Sequence, residues 1–243
     1  MLQKPLDFTP GERYAYSNFG YCLLGRVLER LDGVSYYESV RRRVLSPLGL
    51  RQLSLGRTLK EFARSDEVCY YGIDGATGPC VFTPNVGQQV SWPYGGWHLE
   101  AMDAHGGWIG SAPDLVRLAM SLDPHSCCPL LTANGLKTMW ARPGGVTRQE
   151  SDSRPQDVHY GLGWFVRTLP NSGKINVWHT GSLDGTSTLF VRRHDGFCWA
   201  VLFNSRSGFN PETMKNDMTP SKAIDGAIHQ AVDAVREWPS GHS

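Results

Sequence analysis

The hydrophobic period of this 243-residue chain changes once, near residue 160, and that change restricts the possible folds more than any other feature. On the N-terminal side the spacing is helical. Tyr21, Leu24, Val27, Leu28 and Leu31 recur every three or four residues, and Asp32-Gly33 supplies a stop. Ser35 and Glu38 form a capping-box pattern ahead of a second helix with the stripe Tyr37, Val40, Val44. Ser111-Ala112-Pro113-Asp114 opens another helix, with Leu115, Leu118, Ala119 and Leu122 on one face, and residues 132–140 make a short fourth. Beyond residue 160 the apolar runs are short and strand-like, at 162–166, 175–178, 188–193 and 197–204. His194-Asp195-Gly196 is the hairpin turn between the last two. Residues 220–235 close the chain as an amphipathic helix, with Ile224, Ala227, Ile228, Ala231, Val232 and Val235 on one side. Helices, then an antiparallel meander, then a helix is the order of an α+β protein with segregated regions, not of a βαβ parallel sheet. A single domain over 1–243 is expected, helical and looped over about 1–158, with the sheet and terminal helix over about 159–238.

Composition narrows the function classes. Hydrophobic residues make 40% of the chain and aromatics 11%, enough for a sizeable core. With 24 Lys+Arg against 23 Asp+Glu the net charge is +1, which gives no electrostatic case for a nucleic-acid partner. The longest apolar run, 198–203, is six residues, far short of the roughly 20 of a membrane-spanning helix. The first ten residues carry no secretory signal pattern, and the six cysteines show no CxxC spacing, so free thiols and a cytoplasmic setting are favoured. His125, Cys127 and Cys128 are half a metal site with no second half, so no metal or other cofactor is expected. A small-molecule or peptide substrate is the partner that remains. Residues 56–110 are rich in Gly and Pro and hold Trp92, Trp97 and Trp108. A long aromatic loop of this kind is expected to wall a site.

Three segments stand out for chemistry, and a fourth, Tyr160–Trp164, enters with the resemblance they carry. Tyr16-Ser17-Asn18 stands just before the first helix. Gly106-Gly107 leads into Ser111-Ala112-Pro113-Asp114. Tyr160-Gly161-Leu162-Gly163-Trp164 opens the strand region, and His179-Thr180-Gly181-Ser182 ends an apolar strand. In order and context these resemble the penicillin-binding-protein-like serine hydrolases, in particular the class C β-lactamase-related branch with its DD-peptidases, esterases and D-amino-acid peptidases. The resemblance runs from about residue 6 to about residue 235. It implies an antiparallel sheet flanked by helices plus a helical region.

The resemblance also implies roles. Tyr16 would hold and return the proton of an attacking hydroxyl. Asn18 would bind a substrate amide or orient a lysine, although as a bare residue it reads equally well as a helix N-cap. His179 and Thr180 would flank the leaving side of the substrate, and the Ser182 N–H would donate to the developing oxyanion. Gly181 and Gly185 would let substrate approach the strand closely.

One element of the pattern is missing. No serine in the chain is followed by Lys three residues on. The nearest match, Thr219-Pro220-Ser221-Lys222, lies downstream of His179 and reads as the first turn of the last helix. The resemblance therefore implies the C-terminal two-thirds or more of a family member, without the N-terminal strands and the nucleophile helix. The enzymatic reading is acyl-transfer hydrolysis of an ester or amide, with an esterase or peptidase favoured over a β-lactamase because His179 stands where a permanently charged lysine would hold a carboxylate. This chain alone is expected to be inactive. The competing reading is a non-catalytic interaction domain that keeps the fold. Three tests follow from the residues: Tyr16 and His179 should face one pocket, residues 188–204 should form a hairpin turning at Asp195-Gly196, and any recruited nucleophile should be sought first at Ser17, Ser91 and Ser182.

Overall fold

The computed structural model describes residues 4–144, 157–206 and 219–237. The polar stretch between residue 145 and Asp157 lies almost wholly outside the described residues. Helix α1 spans Asn18–Asp32, α2 Tyr36–Val40, α3 Leu99–Gly106, α4 Ala112–Ser121, α5 Ala133–Trp140 and α6 Pro220–Ala234. Two small antiparallel pairs join β1 (Ser54–Leu55) to β4 (Trp108–Ile109) and β2 (Thr77–Pro79) to β3 (Gln89–Ser91). The main sheet has five strands: β5 Val158–Tyr160, β6 Phe165–Thr168, β7 Ile175–Leu183, β8 Thr186–Arg192 and β9 Cys198–Phe203. Its order is the order of the chain, which makes it a meander with β5 and β9 at the edges. None of the described helices is long and apolar enough to cross a membrane.

Local signals explain most boundaries. Ser17 Oγ accepts the Gly20 N–H and starts α1, while Gly33, at φ +67°, ends it in the left-handed conformation that glycine tolerates best. Half of the expected capping box forms. Ser35 Oγ takes the Glu38 N–H at 3.2 Å, but the Glu38 carboxylate turns to Arg41 and Arg42. The second helix continues as a π-helical turn over Arg41–Leu45. Ser111, Thr132 and Thr219 sit at the N-caps of α4, α5 and α6, with Pro113 and Pro220 in the first turns of α4 and α6. Arg193 and Phe197 close the β8–β9 turn with a 2.8 Å N–H···O bond, and Gly196 takes φ +91°. That is the expected hairpin, and the chain turns at Asp195-Gly196.

The structure departs from the sequence reading in four places. Helix α3 interrupts the stretch expected to be irregular. The main sheet has one strand more than the apolar runs indicated, because Tyr160-Gly161-Leu162-Gly163-Trp164 is not a strand: Tyr160 ends β5, and the next four residues turn into β6, closed by the Gly161 N–H on Trp164 O at 2.8 Å. Asp184-Gly185 is a second two-residue hairpin turn, between β7 and β8, with Gly185 at φ +84°. Strand β7 runs on through Ser182 to Leu183, past the expected strand end at residue 178.

The chain groups into two compact units. The first takes Met1–Leu55, Glu100–His179 and Phe190–Trp199. Its buried apolar residues include Leu45, Leu50, Ala119, Leu122, Leu136, Val158, Val166, Val177 and Val191. Asp114, buried inside it, takes the Gln52 N–H at 2.7 Å and the Arg117 guanidinium at 2.9 Å. Gly25 gives α1 and α3 room to meet, because a Cβ there would lie 2.7 Å from the Ala104 Cβ. Trp108 packs on Tyr36 and Tyr37 and donates its indole N–H to the Tyr36 hydroxyl.

The second unit takes Gly56–Leu99, Thr180–Leu189 and Ala200–Ser243. Leu59, Cys80 and Leu189 are buried there, as are Thr58, whose hydroxyl accepts the Leu99 N–H, and Ser187, hydrogen-bonded to Ser221 at the start of α6. Trp92 fills the space that Gly78 and Gly96 leave, and its ring centroid lies 6.0 Å from that of Trp97. The three tryptophans expected to wall one site are thus divided between the units, and each is used in packing.

Candidate active site

The first unit gathers four phenols and an imidazole. The Tyr160 ring, at the end of β5, lies 5.6 Å from Tyr14, 6.1 Å from Tyr16 and 4.8 Å from Phe165, centroid to centroid. The cross-strand register explains its other neighbour. Tyr160 stands opposite Phe165, and Phe165 opposite Trp178, so His179 is one residue beyond that line. Tyr160 Oη and His179 Nε2 are 2.7 Å apart, and Phe165 lies 5.8 Å from the imidazole. Tyr21, one turn into α1, is hydrogen-bonded to Tyr160, and its hydroxyl lies near the Gly163 N–H, which itself donates to Gly161 O at 3.1 Å. Gly163 holds φ +82°, which aims its N–H within the Tyr160–Trp164 turn, and a Cβ there would sit 3.5 Å from the Tyr21 hydroxyl.

Burial dominates the electrostatics of this cluster. It pushes the Tyr160 phenol well above the ordinary tyrosine range, and the neighbouring phenols Tyr21, Tyr16 and Tyr14 add to the shift. Burial likewise raises Tyr21, against the lowering effect of its bonds from Tyr160 and from Gly163. Both phenols therefore keep their protons at neutral pH and act as hydroxyl donors. Tyr16 is half exposed, so it joins the cluster by its ring while one side stays open.

The structure brings Tyr16 and His179, which are 163 positions apart, onto the same Tyr160 ring. Asn18 is exposed at the first position of α1. The N-cap role that the bare residue allowed belongs to Ser17. Among the serines marked as nucleophile candidates, Ser17 spends its hydroxyl on that cap, Ser91 ends β3 opposite Thr77, and Ser182 is exposed in β7.

In the second unit, Thr180 and Ser182 are exposed and Gly181 is half-buried. A Cβ on Gly181 would meet Thr188 Oγ1 at 2.6 Å, and one on Gly185 would meet Pro93 and Tyr70 under 3.0 Å. The need for glycine at both positions thus already arises from neighbouring side chains.

Tyr160 and Tyr21 are the residues that sequence reasoning missed. Tyr160 was visible only as the first letter of a glycine motif, and Tyr21 only as part of a helical stripe. The signal available was the excess of tyrosine over 14–21, where three phenols fall within eight residues.

Comparison with known proteins bears on the fold and the family. The chain is 23% identical over 188 residues to penicillin-binding protein 4* of Bacillus subtilis, covering 77% of this chain and 39% of that protein. Among solved structures it is similar to a D-stereospecific amidohydrolase from Streptomyces, at 26% identity and a TM-score of 0.60, over 82% of this chain and 52% of that one. It shares its fold with a penicillin-binding protein from Bacillus halodurans, at 18% identity and a TM-score of 0.65, over 93% of this chain and 59% of that one. The chain spans between about two fifths and three fifths of the length of these proteins. The family model described as Beta-lactamase matches residues 1–219, and the chain belongs to that family of serine hydrolases and penicillin-binding proteins.

Proposed function

We propose that this chain carries the proton-handling and strand-borne parts of an acyl-transfer site that hydrolyses an ester or amide. The observation that carries this reading is the convergence of Tyr16 and His179 on Tyr160. Acyl transfer needs a group that takes a proton from the attacking hydroxyl and returns it to the leaving group, and Tyr16 is the exposed phenol of the cluster. Asn18, two residues on at the first position of α1, orients the substrate amide. On β7, His179 and Thr180 meet the leaving side, and the Ser182 N–H, next after Gly181, donates to the oxyanion. A histidine where a permanently charged lysine would hold a carboxylate favours amides and esters. Amide hydrolysis is also what the name of the Streptomyces relative describes.

Because no serine here has lysine three residues on, the chain by itself lacks the nucleophile. Incubated with a chromogenic ester, a D-aminoacyl nitroanilide and a chromogenic β-lactam, it is expected to form no covalent adduct by mass spectrometry. Turnover is expected to fall orders of magnitude below that of an intact enzyme, since binding and oxyanion stabilisation alone leave only residual catalysis. A stoichiometric acyl-serine lost in Tyr16→Phe would overturn the inactivity. Substrate recognition is read separately by titrating the D-aminoacyl amide against the labelled chain. Amide NMR shifts at Tyr16, Asn18 and 179–182 are expected. No shift at any of them at millimolar ligand would leave the chain a non-catalytic interaction domain.

A further inference from the structure

We infer that His159 is a positioning residue for the Tyr160–His179 pair: its Nε2–H, together with the Leu162 N–H, fastens the chain on both sides of Tyr160 to the C-terminal end of α5 and so sets where the Tyr160 hydroxyl stands. This deepens the acyl-transfer reading and rests on it for its catalytic meaning, but the attachment itself is a property of the fold.

A helix ends with carbonyls that have no partner inside it. At the end of α5 the Ala141 N–H takes Thr138 O, which leaves Met139 O and Trp140 O. Both are taken by residues that flank Tyr160. His159 Nε2 lies 2.9 Å from Trp140 O, and the Leu162 N–H donates to Met139 O at 2.8 Å. A carbonyl oxygen only accepts, so the proton of the first bond is on Nε2. Between the two bonds Gly161 closes on the helix end, where a Cβ would stand 2.5 Å from Met139 O. The helix end is itself held. The Trp140 ring lies 5.6 Å from the guanidinium of Arg192 on β8, and Arg192 pairs with Asp123 at 3.2 Å.

The strand needs such a support. Strand β5 has three residues and lies at an edge of the main sheet, so its ladder to β6 holds it on one side alone. Side chains alternate along a strand, which puts His159 on the face opposite Tyr160. It therefore acts on the pair through the backbone and not by meeting substrate. Tyr160 Oη is 2.7 Å from His179 Nε2, and a shift of about 1 Å at β5 is enough to carry that contact out of hydrogen-bond range. The attachment to α5 is what keeps the phenol within reach of the imidazole.

The test is NMR on the full chain labelled at histidine, with His179 identified by the signals that His179→Gln removes and folding of each variant read from the Trp108 indole N–H. His159→Gln keeps an amide N–H at the reach of Nε2, while His159→Asn is too short to meet Trp140 O. The His179 ring signals are expected to shift in His159→Asn and to stand at their parent positions in His159→Gln. Gly161→Ala, which forces the turn away from Met139 O, is expected to shift them as well. Leu50→Ala, which loosens the core of the same unit away from this attachment, is expected to leave them in place. His179 signals that do not move in His159→Asn overturn the inference. So does a shift as large in His159→Gln or in Leu50→Ala, which would make the effect one of general loosening. If His159→Asn does not fold, Gly161→Ala against Leu50→Ala decides by the same two outcomes. No ligand and no turnover enter this readout, so a failure to recognise the amide leaves the result standing, and the reverse also holds.

Discussion

Helices α1 and α4 carry the same sequence signal and meet opposite fates. Each has an apolar stripe at a spacing of three and four, and both belong to the first unit. On α4 the stripe is used: Ala119 is fully buried and Leu122, just past the helix, is 4% exposed. On α1, Leu24 is 53% and Leu31 75% exposed, with Leu23, Val27 and Leu28 also outward. The buried member of α1 is Gly25, against Ala104. Periodicity reports that a helix is amphipathic. It does not report whether the chain supplies a surface to cover the apolar side, nor that the contact face can be the one without side chains.

The comparison is broken or sharpened by substitution. Leu122→Ala leaves a cavity at a filled site and is expected to cost about 2–4 kcal/mol, seen as a lower denaturant midpoint with little change in slope. A cost under about 1 kcal/mol would erase the contrast with α1. Asp114→Ala on α4 strands the Gln52 N–H in a buried place and removes the Arg117 ion pair, for an expected loss of about 2–3 kcal/mol, while Asp114→Asn loses less. Equal losses would mean that charge, not the bond to Gln52, matters there. Gly25→Val tests the α1 contact that is real. Forcing side-chain atoms where the Ala104 Cβ stands is expected to cost about 1–3 kcal/mol, whereas at exposed Leu28 the change Leu28→Val should be nearly silent. On the outward stripe, Leu24→Ser and Leu31→Ser are each expected to stay within about 0.5 kcal/mol, measured by the same unfolding curves. A large loss at either would reveal burial of that stripe in solution.

The smallest effect lies in α2. Hydrogen bonds from Arg41 first, then Arg42, lower the Glu38 carboxyl from 4.5 to about 2. A carboxyl depressed by folding adds stability that is present above its unfolded value and lost as pH falls toward the folded one. The Tm gap between the parent chain and Glu38→Gln should therefore be full above pH 5 and close between 4.5 and 2. The pair is solvent-exposed, so added salt should shrink the gap as well. A gap that persists at pH 2 would show that Glu38 acts through packing.

Local chemistry made much of this protein legible. Ser35, Ser111 and Thr132 mark helix starts, Gly33 marks a stop, and Asp195-Gly196 marks a turn, because caps and turns are satisfied within a few residues of chain. The order of helices and strands, and with it the α+β class, follows from the hydrophobic period. The segments around Tyr16, Asn18 and His179–Ser182 stand out in the sequence as short patterns in a fixed order, and the roles proposed for them rest on resemblance. Tertiary structure alone decided the rest. It turned Tyr160-Gly161-Leu162-Gly163-Trp164 into a hairpin and set β5, β6 and β7 in the register that brings the Tyr160 hydroxyl to His179 Nε2. It put Tyr21 on the cluster side of α1 and left Leu24 and Leu31 to solvent. The physical reason is range: a cap or a two-residue turn closes over three or four residues. A hydrogen bond between residues 160 and 179, or a ring contact between 16 and 160, depends on strand register and on which face of a helix finds a neighbour, and no local pattern encodes either.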